Sequence, residues 1–230
     1  MVDILTEAED KGIKVQILGH VPPGDDDCLQ AYSWNYYRII SRFSHIITGQ
    51  FFGHIHKDFF NLYYDAETLT EPRSVAFIGP PGTAYPRNNM GFRLYEFDST
   101  SYELLDYHTY YADIEEANVI GDETKMPWRK EYSAKEEYQL DDMSARSWAD
   151  FANRMQTDHD LFMKYQTNVF VNYSPEMEPC GLACRRHRVC QTYQGLSYTP
   201  DSWCEHFFPT TLGNVPNSAT CSARFIKLAD

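Results

Sequence analysis

Ile46-Ile47-Thr48-Gly49-Gln50-Phe51-Phe52-Gly53-His54-Ile55-His56 is a short apolar run that stops at a glycine and delivers two histidines immediately after it. β-Branched and aromatic residues over this length, closed by glycine, read as a strand ending in a sharp turn. The same arrangement occurs upstream. Lys14-Val15-Gln16-Ile17-Leu18 reads as a short strand, and Gly19-His20-Val21-Pro22-Pro23-Gly24 breaks it, because two prolines continue neither strand nor helix. From Leu29 to about Arg42 the pattern turns helical, with Trp34, Tyr37 and Ile40 at three-residue spacing. Strand, helix and strand in succession point to an α/β fold.

Working outward, residues 6–12 read as the end of a helix stopped at Gly12. Further strands are expected over 58–64, 73–78, 92–98 and 102–108. A loop rich in breakers, from Gly79-Pro80-Pro81-Gly82 to Asn88-Asn89-Met90-Gly91, separates the second of these from the third. After Tyr110 the character changes to short helices at 114–119, 134–139, 144–155 and 159–168. Ser144 reads as an N-cap, with Trp148, Phe151 and Met155 on one apolar face. The expected division is an α/β unit over 1–110 and a helical, cysteine-rich region over 111–230.

Three of the eight histidines, His20, His54 and His56, lie at strand ends inside glycine-bounded turns. A strand delivers the chain rigidly, glycine lets it turn, and imidazole is a preferred ligand for zinc, manganese or iron. In an extended segment residues i and i+2 share a face, so His54 and His56 are expected to face one metal cluster. His45, His108, His159, His187 and His206 read as structural or surface residues.

Composition removes other classes. At 43% hydrophobic and 23% charged the chain is neither disordered, collagenous nor coiled coil. A net charge of −13 disfavours nucleic-acid binding by a broad basic surface. No apolar run reaches the ~18 residues of a membrane-spanning helix, and the acidic N-terminus lacks the apolar core of a signal peptide. Five of the six cysteines crowd the last fifty-odd residues, the pattern of disulfides formed in an oxidising compartment. A zinc knuckle is the alternative, although C-x3-C-x5-C-x13-C is not a common zinc spacing. Asn172-Tyr173-Ser174 is a glycosylation sequon, weakened by Pro175.

G-H-x-P-P-G followed by G-H-x-H resembles the later part of calcineurin-like metallophosphoesterases. Residues 8–12, Cys28, Ser33-Trp34-Asn35-Tyr36-Tyr37-Arg38-Ile39, Gln50–His54, Val75-Ala76-Phe77, Tyr85, Gly91 and Glu178–Cys184 are similar to the acid sphingomyelinase family in particular. The resemblance implies that His20 and His54 bind one Zn2+ and His56 a second, two Zn2+ making a complete site. It implies that Tyr85 lines the substrate pocket, that Cys180–Cys184 and Cys190–Cys204 pair, that Cys28 pairs outside this chain, and that Cys221 is left over. The implied reaction is hydrolysis of sphingomyelin to ceramide and phosphocholine, at a membrane surface or lipid vesicle, in lysosomes or outside the cell.

None of the family's D-x-H, G-D-x-x-D and G-N-H-D/E motifs precedes the histidine turns here, and with them the bridging aspartate and the proton-donating histidine are missing. No catalytic residue is therefore assigned. The expectation is a truncated chain without a signal peptide, inactive alone because three histidines cannot hold two metals in reactive geometry. Two further readings stand beside it: a sphingomyelinase-like phosphodiesterase acting on nucleotides or phosphocholine diesters, and a non-catalytic, metal-binding regulatory chain.

Overall fold

A computed structural model describes residues 1–85, 87–122, 124–173, 180–198 and 201–207. Its centre is a four-stranded mixed sheet built from β1 (Val15–Leu18), β2 (Ile47–Phe52), β3 (Phe59–Tyr64) and β4 (Pro72–Ile78), in the order β1-β2-β4-β3. β1 and β4 both run parallel to β2, and β3 returns antiparallel to β4. The crossover from β1 to β2 is α2 (Gln30–Phe43), as its periodicity predicts. On β1 the outermost residue Leu18 is 79% exposed, and among the described residues β1 pairs with β2 alone.

β3 and β4 are buried on both faces, and the two-residue alternation of a strand sorts their side chains between two cores. Tyr63 and Ala76 point to one side, against Tyr37, Ile40 and Phe43 of α2 and Leu5 of α1 (Val2–Asp10). Glu9 of α1 accepts both guanidinium hydrogen bonds of Arg42 at 2.8 Å, tying the two helices together. Phe60, Leu62, Val75 and Phe77 point the other way, into the larger core.

That larger core is closed by a second sheet and by helices. β5 (Met90–Phe97), β6 (Leu104–Ala112) and β7 (Trp128–Ser133) form an antiparallel meander. Tyr95 and Tyr107 on its inner face meet Phe51 and Phe77, with ring centroids 4.5 and 5.7 Å apart. α5 (Ala145–Arg154) begins at Ser144, whose hydroxyl accepts from the Ser147 amide at 3.3 Å. Its Trp148, Phe151, Ala152 and Met155 are fully buried, Trp148 lying 4.5 Å from Phe60. Each large apolar side chain withdrawn from water in this way contributes roughly 1.5–3 kcal/mol. α3 (Ile114–Ile120), α4 (Ala134–Tyr138), α6 (His159–Val169), α7 (Leu182–Thr192) and α8 (Asp201–Phe207) complete the described chain.

The mixed α/β class holds, and three elements are additional to those read from sequence. β7 is Trp-Arg-Lys-Glu-Tyr-Ser, polar and without visible alternation; it forms because β6 runs on to Ala112 and offers it an edge. α7 and α8 lie in the cysteine-rich region and are held by Cys180–Cys184 and Cys190–Cys204, with Cα–Cα distances of 5.2 and 5.4 Å. Cys28 is a free thiol, and Cys221, Ser174 and Pro175 lie outside the described residues. No described helix is long and apolar enough to cross a membrane.

A candidate metal centre at the carboxyl edge of the mixed sheet

Parallel pairing brings the ends of β1 and β2 together, since Leu18 is in register with Phe51. Hydrogen bonds continue past the strands, from the Gly19 amide to the Phe51 carbonyl and from the Gly53 amide to the His20 carbonyl, both at 3.0 Å. A side chain at Gly19 would lie 2.6 Å from the Phe52 ring, so the chain needs glycine at this turn. The result is convergence at the carboxyl edge, where open α/β sheets place their sites. Nε2 of His20 lies 3.4 Å from Nδ1 of His54, with the two rings edge to face.

That separation can be compared with metal geometry. Two imidazole nitrogens bound at ~2.0–2.1 Å to one tetrahedral ion stand roughly 3.3 Å apart. The His20–His54 separation matches that distance, and without an ion the same two nitrogens face each other as a hydrogen-bonded pair.

His54 and His56 do not occupy the extended segment expected of them. β2 ends at Phe52, and both histidines take left-handed backbone conformations, with φ of +70° and +57°. Side chains other than glycine rarely adopt this region, and each such residue costs roughly 1–2 kcal/mol. The turn directs their rings to different neighbours. His56 donates its Nδ1 proton to the Tyr85 carbonyl at 2.6 Å, because a carbonyl can only accept. The Tyr85 ring, 54% exposed in the loop after β4, stands edge-on to His56 with centroids 6.1 Å apart.

Two acidic residues also reach the site. The Asp27 carboxylate lies 2.8 Å from Nε2 of His54, and an Asp25 oxygen lies 3.9 Å from the same nitrogen. Asp25, Asp27 and His54 present ligand atoms within 4.8 Å of one another, a possible metal-binding trio. Gly24-Asp25-Asp26-Asp27-Cys28 does not complete G-D-x-x-D, so that motif does not point to Asp25. The available signal was the run of three aspartates directly after the histidine turn.

Behind the histidines the loop is clamped from within the fold. Asn88, only 1% exposed, donates to the His56 carbonyl at 2.9 Å and accepts from the Lys57 ammonium at 2.7 Å. Asp58 follows two residues after His56 and pairs with Arg93 of β5, both side chains almost fully buried. Tyr132 of β7 donates to the same carboxylate at 2.8 Å, and the Arg93 guanidinium lies 3.7 Å above the Tyr107 ring. Farther off, the Asn172 side chain donates its amide to the Tyr111 hydroxyl at 2.8 Å.

Residues 82–204 match the family model described as acid sphingomyelin phosphodiesterase C-terminal region. The chain is 41% identical over 215 residues to a sphingomyelin phosphodiesterase of Bos taurus, covering 91% of this chain and 33% of the relative. It is 39% identical over 225 residues to that of Homo sapiens, covering 95% and 34%. It is 33% identical over 208 residues to the human acid sphingomyelinase-like phosphodiesterase 3b, covering 84% and 44%. The chain thus spans about a third of the length of the sphingomyelin phosphodiesterases it matches.

Proposed function

Since the chain belongs to the acid sphingomyelin phosphodiesterase C-terminal-region family, we propose that it supplies one side of a two-zinc centre that hydrolyses sphingomyelin to ceramide and phosphocholine. His20 through Nε2 and His54 through Nδ1 would hold one zinc, and His56 through Nε2 the other. The 3.4 Å approach of His20 to His54 is the observation that supports this reading best. A zinc pair, when bound, acts as a Lewis acid on a phosphoryl oxygen and lowers the pKa of water.

The chain's own contribution is positioning. β1 and β2 fix His20 and His54, and the Tyr85 carbonyl fixes the His56 tautomer, leaving Nε2 as the free lone pair. The exposed Tyr85 ring beside His56 would line the pocket for the lipid headgroup. The site of action would be a membrane surface or lipid vesicle in a lysosome or outside the cell, with the C-terminal disulfides suited to either. Alone, the chain is proposed to bind zinc without turnover, because its three histidines lack a bridging carboxylate.

Calorimetric titration with zinc, alongside hydrolysis of sphingomyelin vesicles, tests both halves of this reading. Zinc binding lost in His20→Ala, with no turnover by the chain, is the expected result. Failure to bind zinc defeats the metal assignment, and robust turnover abolished by His54→Ala defeats the view that the site is incomplete. Likeness to the phosphodiesterase 3b protein keeps a second substrate reading open. Preference of a relative-length protein for a nucleotide or a water-soluble phosphocholine diester would support it.

A further inference from the structure

His54 has two ring nitrogens and two different neighbours. Nδ1 faces His20 at 3.4 Å, and Nε2 faces the Asp27 carboxylate at 2.8 Å. A carboxylate only accepts, so the contact with Asp27 places the proton on Nε2 and leaves the Nδ1 lone pair toward His20. Asp25 is a poorer candidate for the same task. Its nearest oxygen is 3.9 Å away, beyond hydrogen-bond range, and that oxygen already accepts from the Asp27 amide at 3.0 Å.

We infer that Asp27 is the positioning residue of His54, fixing its tautomer and ring orientation so that Nδ1 is presented to a metal shared with His20. This rests on the metal reading given above and deepens it. Histidine ligands commonly donate their second ring nitrogen to a carboxylate or carbonyl, and loss of that partner typically weakens metal binding 10–100-fold. His56 carries the mirror arrangement, with Nδ1 engaged by the Tyr85 carbonyl. The two histidines of Gly-His-Ile-His are therefore locked at opposite ring nitrogens, one by an acidic loop and the other by a carbonyl. The Asp27 side chain is 71% exposed, so its replacement disturbs no packing.

The test has a metal-free and a metal-bound arm. Long-range proton–nitrogen NMR on the metal-free chain is expected to show His54 almost wholly as the Nε2–H tautomer, and Asp27→Ala to admit the Nδ1–H form. Zinc affinity, measured by competition with a chromophoric chelator, is expected to fall about 10–100-fold in Asp27→Ala. Asp27→Glu should restore most of it, and Asp25→Asn should leave it near the parent value. His20→Ala abolishing binding while Asp27→Ala changes neither tautomer nor affinity would overturn this inference alone. Zinc binding untouched by His20→Ala but lost in both Asp25→Asn and Asp27→Asn would make the acidic trio the ligand set, overturning this inference and the metal reading beneath it.

Discussion

Asp58 and Arg93 form a buried ion pair that joins the mixed sheet to the meander, their side chains 3% and 2% exposed. Asp58 immediately precedes β3, just two residues beyond His56, so the pair fixes the base of the histidine turn as well as the contact between sheets. Thr109 and Tyr132 add hydrogen bonds to the same carboxylate, leaving both oxygens engaged.

Arg93→Met removes the cation and leaves Asp58 buried without it. Losing one partner of a buried pair costs about 3–5 kcal/mol, against the 0–1 kcal/mol of a surface pair. Urea unfolding should show a loss in that range. A change under 1 kcal/mol would mean that Tyr132 and Thr109 satisfy Asp58 unaided.

Asn88→Leu deletes the clamp on the His56 carbonyl and the Lys57 ammonium. Loss of a buried hydrogen-bonding partner costs about 1–3 kcal/mol. Beyond that loss, amide exchange across residues 54–57 should quicken more than in the helices. Uniform quickening across the molecule would argue against a local role.

Glu131 of β7 gives the chain a pH dependence. Both of its carboxylate oxygens are buried without a hydrogen-bond partner among the described residues. Burial foremost, with Asp58 adding and Arg93 opposing, pushes its carboxyl well above the usual range. The folded state then keeps a proton that the unfolded chain releases near pH ~4.3. The stabilisation linked to that proton is complete below this pH and fades as pH rises through the folded-state value. Glu131→Gln should therefore gain stability over the parent as pH rises from ~4 to 7. Equal differences at the two ends of that range would refute it.

The Cys190–Cys204 bond joins α7 to α8 across a separation of 14 residues. Closing a loop of that size constrains the unfolded chain by about 3 kcal/mol. Cys190→Ala with Cys204→Ala should lower stability by that order in thermal or urea denaturation. Retained stability would place the order of this region in the packing of Val189 and Tyr193 instead.

What could be read in the sequence was local. The Ser144 cap and the Trp148–Phe151–Met155 stripe are three- and four-residue patterns, and each lies where its spacing puts it. The mixed α/β class follows from two strands, each ended by glycine, and the helix between them. β7 was not legible because its pairing depends on β6, across a turn and α3, and its own residues alternate weakly. Asp27 and Asn88 escaped for a related reason. Their partners His54 and His56 lie 27 and 32 residues away, and spacing along the chain carries no trace of such contacts. The expected extended arrangement of His54 and His56 failed because alternation applies only inside a strand, and β2 stops before them.

The left-handed conformations of His54 and His56 put function and stability at odds in one short turn. Glycine at either position would relax the backbone, and asparagine tolerates the same region better than most residues. A library sorted for thermal resistance alone should therefore shed these two imidazoles early and come out sturdier and metal-blind. Histidine persisting at both positions under such sorting would show that the ring contacts outweigh the backbone strain. The same conformations make alanine the cleaner probe of ligand loss here, since it removes the imidazole and keeps the strain, whereas asparagine changes both at once.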